Sequence, residues 1–392
     1  MPDIAASGMR PSLTTKESMK ALIALIILVV SATASGQSAP TPPTIAAKSY
    51  LLYDFQARQA LASLNAEERV EPASLTKVMT AYIAFNALKQ KTLKMDQTVP
   101  VSEAARKAEG SRTFIDSRIP VTVDELLRGM IIQSGNDASI ALAEAIAGSE
   151  EAFAQLMNKE AKRLGLTNTN FRNATGLPDP NHYTTAADLT KLAAALIQDH
   201  PEYYPLYSIK DYTYNKIKQP NRNRLLWTDP TVDGMKTGHT KAAGWCLISS
   251  AKRGERRLLL VLLGADSGGG RASESQKLLN FGFQFYETVR LYEKGQSIAD
   301  LKVWKGRTDT LKAGFDRDLL FTLPKGQAEK LKATFESQQP LVAPVDAGQR
   351  VGTMKVTLDG KPFTEVPVVA LDKIEVGNIF ARGWDAMRLF FK

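Results

Sequence analysis

The segment "EPASLTKVMTAYIAF", residues 71–85, contains a serine and a lysine that could act as a nucleophile and its base. Apolar residues at helical spacing follow the start signals Pro72 and Ser74, so a helix is predicted here. Ser74 and Lys77, at positions i and i+3, then share one helix face. A serine hydroxyl becomes a nucleophile when a base takes its proton. A lysine can be that base if burial, a nearby positive charge or the helix N-terminus lowers its pKa. The start of a helix usually favours acidic residues, and this role as a base would explain why a lysine is found there.

By itself this spacing fits equally well a serine that caps the helix and a lysine in solvent. Two further motifs favour the chemical interpretation. "IQSGNDAS" places Ser134, Gly135 and Asn136 in a predicted turn between two helices, and "VDGMKTGHTKAAGW" places Lys-Thr-Gly, residues 236–238, before a predicted hairpin. S-x-x-K, S-x-N and K-T-G in this order are a signature of penicillin-binding proteins and class A β-lactamases.

The elements that must position these motifs are strands and helices in alternation. "KSYLLYDFQ" and "QALASLN" predict a strand pair, and "GWCLISSAKRGERRLLLVLLGA" predicts a hairpin around Arg253-Gly254-Glu255. Residues 258–263 lack alternation, which indicates a strand covered on both faces. Helical patterns lie near 75–89, 123–132, 139–147, 151–164 and 185–198, and "SESQKLLNFGFQFYE" predicts a closing helix. This order predicts helices sandwiched with an antiparallel sheet.

The chain changes character after about residue 289. Short alternating runs broken by Gly, Pro and Asp-Gly predict a small β-sandwich or barrel. The last sixteen residues, "GNIFARGWDAMRLFFK", predict an amphipathic helix in a membrane surface. Its predicted apolar face consists of Phe380, Trp384, Met387 and Phe391, and its charged residues are Arg382, Asp385, Arg388 and Lys392. A helix packed on the β-domain is the alternative.

The N-terminus predicts export. Lys16 and Lys20 precede the apolar run "ALIALIILVVSATA", which ends in a small-residue cleavage pattern, so residues 1–34 are predicted to be a signal peptide and 35–48 a linker. An uncleaved anchor is the alternative, and Met19 is a possible start. A single cysteine, Cys246, indicates a fold that does not rely on disulfides, and a bacterial periplasm is the expected compartment.

Charge and composition narrow the possible partners. The chain has 392 residues, is 44% hydrophobic and carries a net charge of +9. No basic run or aromatic-basic repeat points to nucleic acid, whereas a diffuse positive charge suits an anionic membrane surface or cell wall. His182, His200 and His239 lack metal-ligand spacing, so neither a metal nor another cofactor is predicted.

From Ser49 onward the chain resembles the exported low-molecular-mass penicillin-binding proteins that are D-alanyl-D-alanine carboxypeptidases. Besides the three motifs, "MIIQSGNDASIALAEAIAGSEEAF", "LLWTDPTVDGMKTGHTKAAGW" and "EVGNIF" carry the resemblance. It implies an α/β fold (an α+β sandwich of the penicillin-binding protein and β-lactamase type), a small all-β domain and a C-terminal amphipathic anchor helix. The expected domains are 49–288, 289–376 and 377–392. The expected location is the periplasm, peripherally anchored to the outer face of the inner membrane.

The resemblance also implies roles for individual residues. Ser74 would attack the D-Ala-D-Ala peptide bond of a peptidoglycan pentapeptide, Lys77 would take its proton, and Ser134 would relay a proton to the leaving D-alanine. β-Lactams would bind at the same site. The implied substrate-binding residues are Asn136 for an amide, Lys236, Thr237 and Gly238 for the terminal carboxylate, and His239, whose backbone N–H would complete an oxyanion hole with that of Ser74. Arg222 and Arg271 either pair with the carboxylate, shape the pocket, or are solvated loop arginines.

Three points stay open. Asp188 could cap a helix together with Thr185 or lie near the active site, as an aspartate does in the family. The loop 173–185 would flank the cleft, with Gly176 and Leu177 near the acyl group. The alternative functions are a β-lactamase, for which no E-x-x-L-N match to the general-base glutamate of class A enzymes is found, and a non-catalytic wall-binding protein, which intact motifs disfavour.

Overall fold

The computed structural model describes residues 40–390, and its first sheet runs through residues 49–265. Its five antiparallel strands are β1 (Ser49–Asp54), β2 (Gln59–Leu64), β7 (Val232–Thr240), β8 (Gly244–Arg253) and β9 (Arg256–Ala265). Four short strands lie outside it: β3 (Thr98–Val99), β4 (Val121–Thr122), β5 (Asp211–Tyr214) and β6 (Ile217–Pro220). The five strands of the sheet have the order β2-β1-β9-β8-β7, so β7 forms one edge. Gly254, at φ +59°, makes the tight turn between β8 and β9 possible.

Helices cover both faces of this sheet. They are α1 (Lys77–Lys89), α2 (Glu103–Arg106), α3 (Val123–Arg128), α4 (Asn136–Ala147), α5 (Glu150–Arg163), α6 (Ala186–Asp199), α7 (Leu225–Thr228) and α8 (Gly268–Phe285). Along β9, Leu259 and Val261 join the core formed with α1, α4 and α6, whereas Leu258 and Leu260 join the core formed with α7 and α8. Because both faces are buried, β9 needs no polar alternation, as its sequence predicts.

A second set of strands follows α8 and encloses a core of its own. The strands are β10 (Tyr286–Tyr292), β11 (Ser297–Trp304), β12 (Thr310–Gly314), β13 (Leu319–Pro324), β14 (Leu331–Ser337), β15 (Leu341–Val342), β16 (Arg350–Leu358) and β17 (Lys361–Ala370). Six of them form one sheet in the order β14-β16-β17-β12-β11-β15, and β10 pairs with β13. Asp359 and Gly360, both at positive φ, form the turn between β16 and β17, which is the hairpin chemistry expected of an Asp-Gly pair.

The chain ends in helix α9 (Ile379–Phe390), which is attached to the end of β11. The backbone N–H of Lys305 donates to Asp385 Oδ2 at 2.7 Å. Ile379, Trp384 and Met387 nevertheless leave 79%, 56% and 52% of their surface exposed. None of the helices within residues 40–390 is both long and apolar enough to cross a membrane. The predicted signal peptide and residues 35–39 of the predicted linker lie outside the described residues, as do Phe391 and Lys392.

The predicted fold class is confirmed, with helices on both faces of an antiparallel sheet, an all-β part and a terminal helix. One alternative is excluded and one local prediction is wrong. Ser74 does not cap a helix, because it lies inside a 3-10 turn, Ala73–Thr76, whose N-terminal cap is Pro72. The closing helix begins earlier than predicted, at Gly268, because the side chain of Ser267 accepts a hydrogen bond from the backbone N–H of Gly270 and caps it. Arg271 therefore lies in a helix and not in a loop.

Candidate active site

Ser74 and Lys77 meet at the junction of the 3-10 turn Ala73–Thr76 and helix α1. Residues three apart eclipse each other in a 3-10 turn, and Lys77 Nζ lies 3.0 Å from Ser74 Oγ. Ala73 has a positive φ of +48°, an uncommon conformation for a residue with a side chain. Ser74 is half-buried and lines a cleft, whereas Lys77 is only 1% exposed. The hydroxyl thus faces the cleft, with the amine behind it.

The amine of Lys77 has three polar neighbours, and two of them can only accept a hydrogen bond. Asn136 Oδ1 and the backbone oxygen of Thr175 each lie 2.6 Å from Nζ. The Asn136 amide is oriented by its nitrogen, which donates to the backbone oxygen of Glu109 at 2.6 Å. A neutral amine has two N–H groups and one lone pair. With both N–H groups donated to these oxygens, the lone pair faces the hydroxyl of Ser74.

Burial lowers the pKa of Lys77 from its ordinary value to about 7. Desolvation is the largest cause, because it penalises the charged form. The positive charge of Arg222 lowers this pKa further, while Asp137 and Glu150 oppose the shift. Burial and then the charge of Lys77 also hold the pKa of Lys236 well below its ordinary value.

Ser134 and Asn136 are brought to Lys77 by an abrupt change of backbone direction. A π-helical segment, Gly129–Gln133, ends at Ser134, which adopts the left-handed conformation at φ +68°. Helix α4 then begins at Asn136. This arrangement aims the hydroxyl of Ser134 at Lys236, whose Nζ lies 2.9 Å away. The S-x-N motif therefore contacts both lysines.

The K-T-G motif lies on β7, the edge strand beside the turn that holds Ser74. Lys236 is 2% exposed and donates to Ser134 Oγ and to the backbone oxygen of Thr237, whereas Thr237 lines the cleft. A side chain at Gly238 would place Cβ 3.2 Å from Ala73 Cβ and 3.3 Å from the backbone nitrogen of Leu75. Glycine at this position lets the strand approach the nucleophile closely.

Arg271 is buried, and its guanidinium holds the end of β7 in place. It donates to the backbone oxygen of Gly238 at 3.0 Å and lies over the ring of Trp245, on which the ring of His239 stacks at 4.0 Å. Burial lowers the pKa of Arg271 to about 10. The carbonyl of Gly238 and the N–H of His239 belong to one planar peptide and point in opposite directions. The N–H of His239 is thereby turned away from Arg271.

The motifs line one cleft of about 900 Å³. Within the described residues, its lining includes no Asp or Glu. Arg222 also lines the cleft and is exposed, but no hydrogen-bond or ion-pair partner of its guanidinium is found in residues 40–390. Ser74, Ser134, Asn136, Arg222, Thr237, Gly238, His239 and Arg271 reach the cleft directly, and Lys77 and Lys236 lie beneath it. The cleft is therefore suited to an anionic substrate.

Sequence reasoning missed two segments that build the cleft. Asp137 accepts hydrogen bonds from the backbone N–H groups of Thr113 and Phe114 at 2.8 and 2.7 Å and so fixes one wall. An acidic residue in the first turn of α4 was the available signal. On the other side, Asn173 Oδ1 accepts from Thr175 Oγ1 and from the N–H of Gly176. This turn presents the Thr175 carbonyl to Lys77, a contact that the residue type of Thr175 does not predict.

Asp188 and Cys246 lie outside the cleft lining. The backbone N–H of Asp188 donates to Thr185 Oγ1, the N-cap of α6, and its buried carboxylate accepts from the backbone N–H of Asn168 and from Thr169 Oγ1. Asp188 thus ties α6 to the preceding loop. Cys246 is buried on β8, where desolvation raises the pKa of its thiol to about 11. A protonated thiol is a poor nucleophile.

Two family profiles match the chain. Residues 36–267 match the D-alanyl-D-alanine carboxypeptidase profile, and residues 286–376 match the profile of the C-terminal domain of penicillin-binding protein 5. The D-alanyl-D-alanine carboxypeptidase DacC of Escherichia coli is 43% identical over 357 residues, which cover 89% of each chain. DacA of Haemophilus influenzae is 42% identical, over 90% of this chain and 91% of its own.

Solved structures show the same similarity. Penicillin-binding protein 5 from Haemophilus influenzae superposes with a TM-score of 0.82 at 42% identity, covering 86% of this chain and 99% of its own. A penicillin-binding protein from Listeria monocytogenes, in its ampicillin-bound form, superposes with a TM-score of 0.57 at 30% identity. That structure covers 62% of this chain and all of its own.

Proposed function

The chain belongs to the D-alanyl-D-alanine carboxypeptidase family and is a serine-type carboxypeptidase, and we propose that Ser74 is its nucleophile and Lys77 its general base. The substrate is the peptidoglycan stem pentapeptide, from which the terminal D-alanine is removed. One observation carries the assignment of residues. Among the hydrogen-bond neighbours of Lys77 Nζ within residues 40–390, the Ser74 hydroxyl at 3.0 Å alone is able to donate to its lone pair.

Acylation follows from this geometry. Ser74 Oγ attacks the carbonyl carbon between the two D-alanines, and its proton passes to Lys77 Nζ. The negative charge on the carbonyl oxygen is stabilised by the backbone N–H groups of Ser74 and His239. The peptide bond then breaks, and the departing amine takes the proton that Lys77 accepted, relayed through Ser134, which returns Lys77 to its neutral form. Because Lys236 donates to Ser134 Oγ at 2.9 Å, the hydroxyl proton of Ser134 is free to point into the cleft.

Substrate binding uses the positive charge of the cleft. The terminal carboxylate binds at Thr237, beside Lys236 and Arg222, and Asn136 holds a substrate amide. Arg271 acts as a positioning residue, because its guanidinium is engaged with the backbone oxygen of Gly238. In the second half of the reaction, water attacks the ester carbonyl and Lys77 takes the proton of that water. Lys77 then gives this proton to Ser74 Oγ as the ester bond breaks.

Penicillin is expected to acylate the same serine, because its lactam presents a strained amide beside a carboxylate. The absence of Asp and Glu among the cleft-lining residues within 40–390 leaves the acyl-enzyme without a carboxylate base for deacylation. This supports a penicillin-inhibited carboxypeptidase over a β-lactamase. The intact Ser74–Lys77 pair likewise disfavours a non-catalytic wall-binding role.

The location of the enzyme is part of this proposal. A signal peptide in residues 1–34 would deliver the chain to the periplasm, and α9 would hold it on the outer face of the inner membrane. Three exposed apolar side chains, Ile379, Trp384 and Met387, support interfacial binding. Arg382 and Arg388 on the same helix would favour an anionic surface.

The direct test is to incubate the pure protein with a pentapeptide ending in D-Ala-D-Ala and, separately, with a chromogenic penicillin. Release of D-alanine with slow lactam turnover is expected, and rapid lactam turnover without D-alanine release would indicate a β-lactamase. Ser74→Ala should lose covalent labelling by penicillin, whereas Ser273→Ala on α8 should keep it. Labelling of another serine in Ser74→Ala, located by mass spectrometry, would overturn the assignment.

A further inference from the structure

A second cavity, of about 560 Å³, adjoins the active-site cleft between helices α7 and α8. Arg224 and Gly269 line both the cleft and this side cavity, so they form the boundary between the two. Gly269 lies in the first turn of α8, and a Cβ atom added there would meet no atom within 4 Å. No side chain at position 269 therefore blocks a passage from the cleft to the side cavity.

The charge of this boundary is positive and uncompensated. Arg224 is exposed, and within the described residues no hydrogen-bond or ion-pair partner of its guanidinium is found. The acidic residue of the side cavity, Asp229, is already engaged by Thr231 Oγ1 at 2.6 Å and by Gln276 Nε2 at 2.7 Å. Arg224 thus remains available to an anionic group that enters from the cleft.

The position of Arg224 is fixed by its neighbour in the chain. Asn223 is buried, donates from Nδ2 to the backbone oxygen of Gly234 at 3.1 Å, and accepts the N–H of Leu225 at 3.2 Å. Gly234 lies two residues before Lys236 on β7. Arg224 is therefore held beside the part of β7 that precedes the K-T-G motif. Under the proposed function, the C-terminal D-residue of the substrate, which is the leaving residue, binds on this side of the cleft.

We propose that the side cavity is a subsite for the side chain of the leaving D-residue, and that Arg224 selects a leaving residue with a second carboxylate. The proposal rests on the proposed function, because the K-T-G motif must bind the terminal carboxylate for the cavity to flank the leaving residue. An alanine methyl group would leave the cavity empty. A D-residue with a longer acidic side chain would fill the passage and pair with Arg224.

Three peptides of the form diacetyl-L-lysyl-D-alanyl-D-X separate size from charge, with X as alanine, glutamine or glutamate. Glutamine and glutamate have the same shape, and only glutamate is anionic. The wild-type full chain should cleave the D-glutamate peptide with a higher kcat/KM than the D-glutamine peptide. Arg224→Gln should reduce that preference about tenfold, as expected for loss of one charge-assisted hydrogen bond, mainly through KM.

Two further variants complete the test. Gly269→Leu should slow cleavage of both longer peptides relative to the D-alanine peptide, and Gly269→Ala should do so less. Arg307→Gln removes the same charge from an exposed position in the β-domain and should leave the glutamate preference intact. Arg307→Gln should also release D-alanine at the wild-type rate, and each of the other variants is compared with its own rate on the D-alanine peptide.

The outcomes distinguish this proposal from the one on which it rests. Equal kcat/KM values for D-glutamate and D-glutamine in the wild type, or a glutamate preference that survives in Arg224→Gln, would overturn the subsite while D-alanine release stands. Failure of the wild type to cleave either longer peptide would also overturn it. Failure to release D-alanine from the D-alanyl-D-alanine peptide would instead contradict the proposed function.

Discussion

The Lys77 amine and the Asn136 amide share a hydrogen bond of 2.6 Å that fixes which way the lysine lone pair points. Asn136 can only accept at this contact, because its amide nitrogen donates to the backbone oxygen of Glu109. An aspartate at the same position would bring a negative charge against the amine and stabilise the ammonium form. The neutrality of Lys77 therefore depends on the amide of its neighbour.

Asn136→Asp should raise the pKa of Lys77 and slow acylation by penicillin at neutral pH. Because the base must be neutral, the rate should recover as the pH is raised, and stopped-flow acylation from pH 6 to 10 measures both effects. Asn158→Asp is the matched control, since Asn158 also uses both ends of its amide on backbone groups, those of Phe171 and Ala154. Equal pH profiles for wild type and Asn136→Asp would contradict this account.

Gly176 allows the loop that supplies the Thr175 carbonyl to touch the nucleophile turn. Its φ is +83°, and a Cβ atom there would lie 1.8 Å from the backbone oxygen of Ala73. Gly165 has a similar φ of +70° but open space around it. Gly165→Ala should therefore lower the free energy of unfolding by about 1–2 kcal/mol, which is the cost of holding an alanine in the left-handed conformation.

Gly176→Ala should cost more than Gly165→Ala and should also slow acylation, because the loop must move away from Lys77. Denaturant unfolding gives the free energies, and penicillin labelling gives the rates. If the two variants lost equal stability and kept equal acylation rates, the close contact between Gly176 and Ala73 would have no functional role.

The contacts of the site that could be predicted are those between residues a few positions apart in the sequence. Ser74 and Lys77 are three residues apart, so any helical turn brings them together. Asn136 is 59 residues from Lys77, and Ser134 is 102 residues from Lys236. These pairs follow from the fold, and the sequence suggested them only through motif order and family resemblance. The Thr175 carbonyl could not be predicted, because every residue type has one.

One prediction failed because the local composition was misleading. Three consecutive glycines before Arg271 indicate a loop, yet the cap at Ser267 and the packing of Leu278 and Leu279 draw this segment into α8.

Helix α9 should hold the chain on anionic membranes. A chain that ends before Gly377 should be recovered in the soluble fraction and still cleave a small peptide, because the cleft lies entirely in residues 74–271. In the full chain, replacing Trp384 and Met387 by glutamate should weaken sedimentation with anionic vesicles. Trp227→Glu, at a tryptophan of similar exposure (47%), should not. Membrane recovery of the truncated chain equal to that of the full chain would count against the anchor.

The central claim is that neutral Lys77 takes the proton of Ser74, and its most direct test is the pH dependence of acylation in wild type and Lys77→Arg. With the pKa of Lys77 lowered to about 7, the neutral fraction grows as pH rises through that value. The wild-type rate should therefore climb about tenfold per pH unit below 7 and level off above it. Arginine keeps the charge but stays protonated.

Lys77→Arg should fold, as circular dichroism and thermal melting would show, and should be acylated about 10²–10⁴-fold more slowly than the wild type above pH 7, where Lys77 is neutral, with the difference narrowing as the pH falls to 5. A rate for Lys77→Arg close to that of the wild type at neutral pH would contradict the assignment of Lys77 as the base.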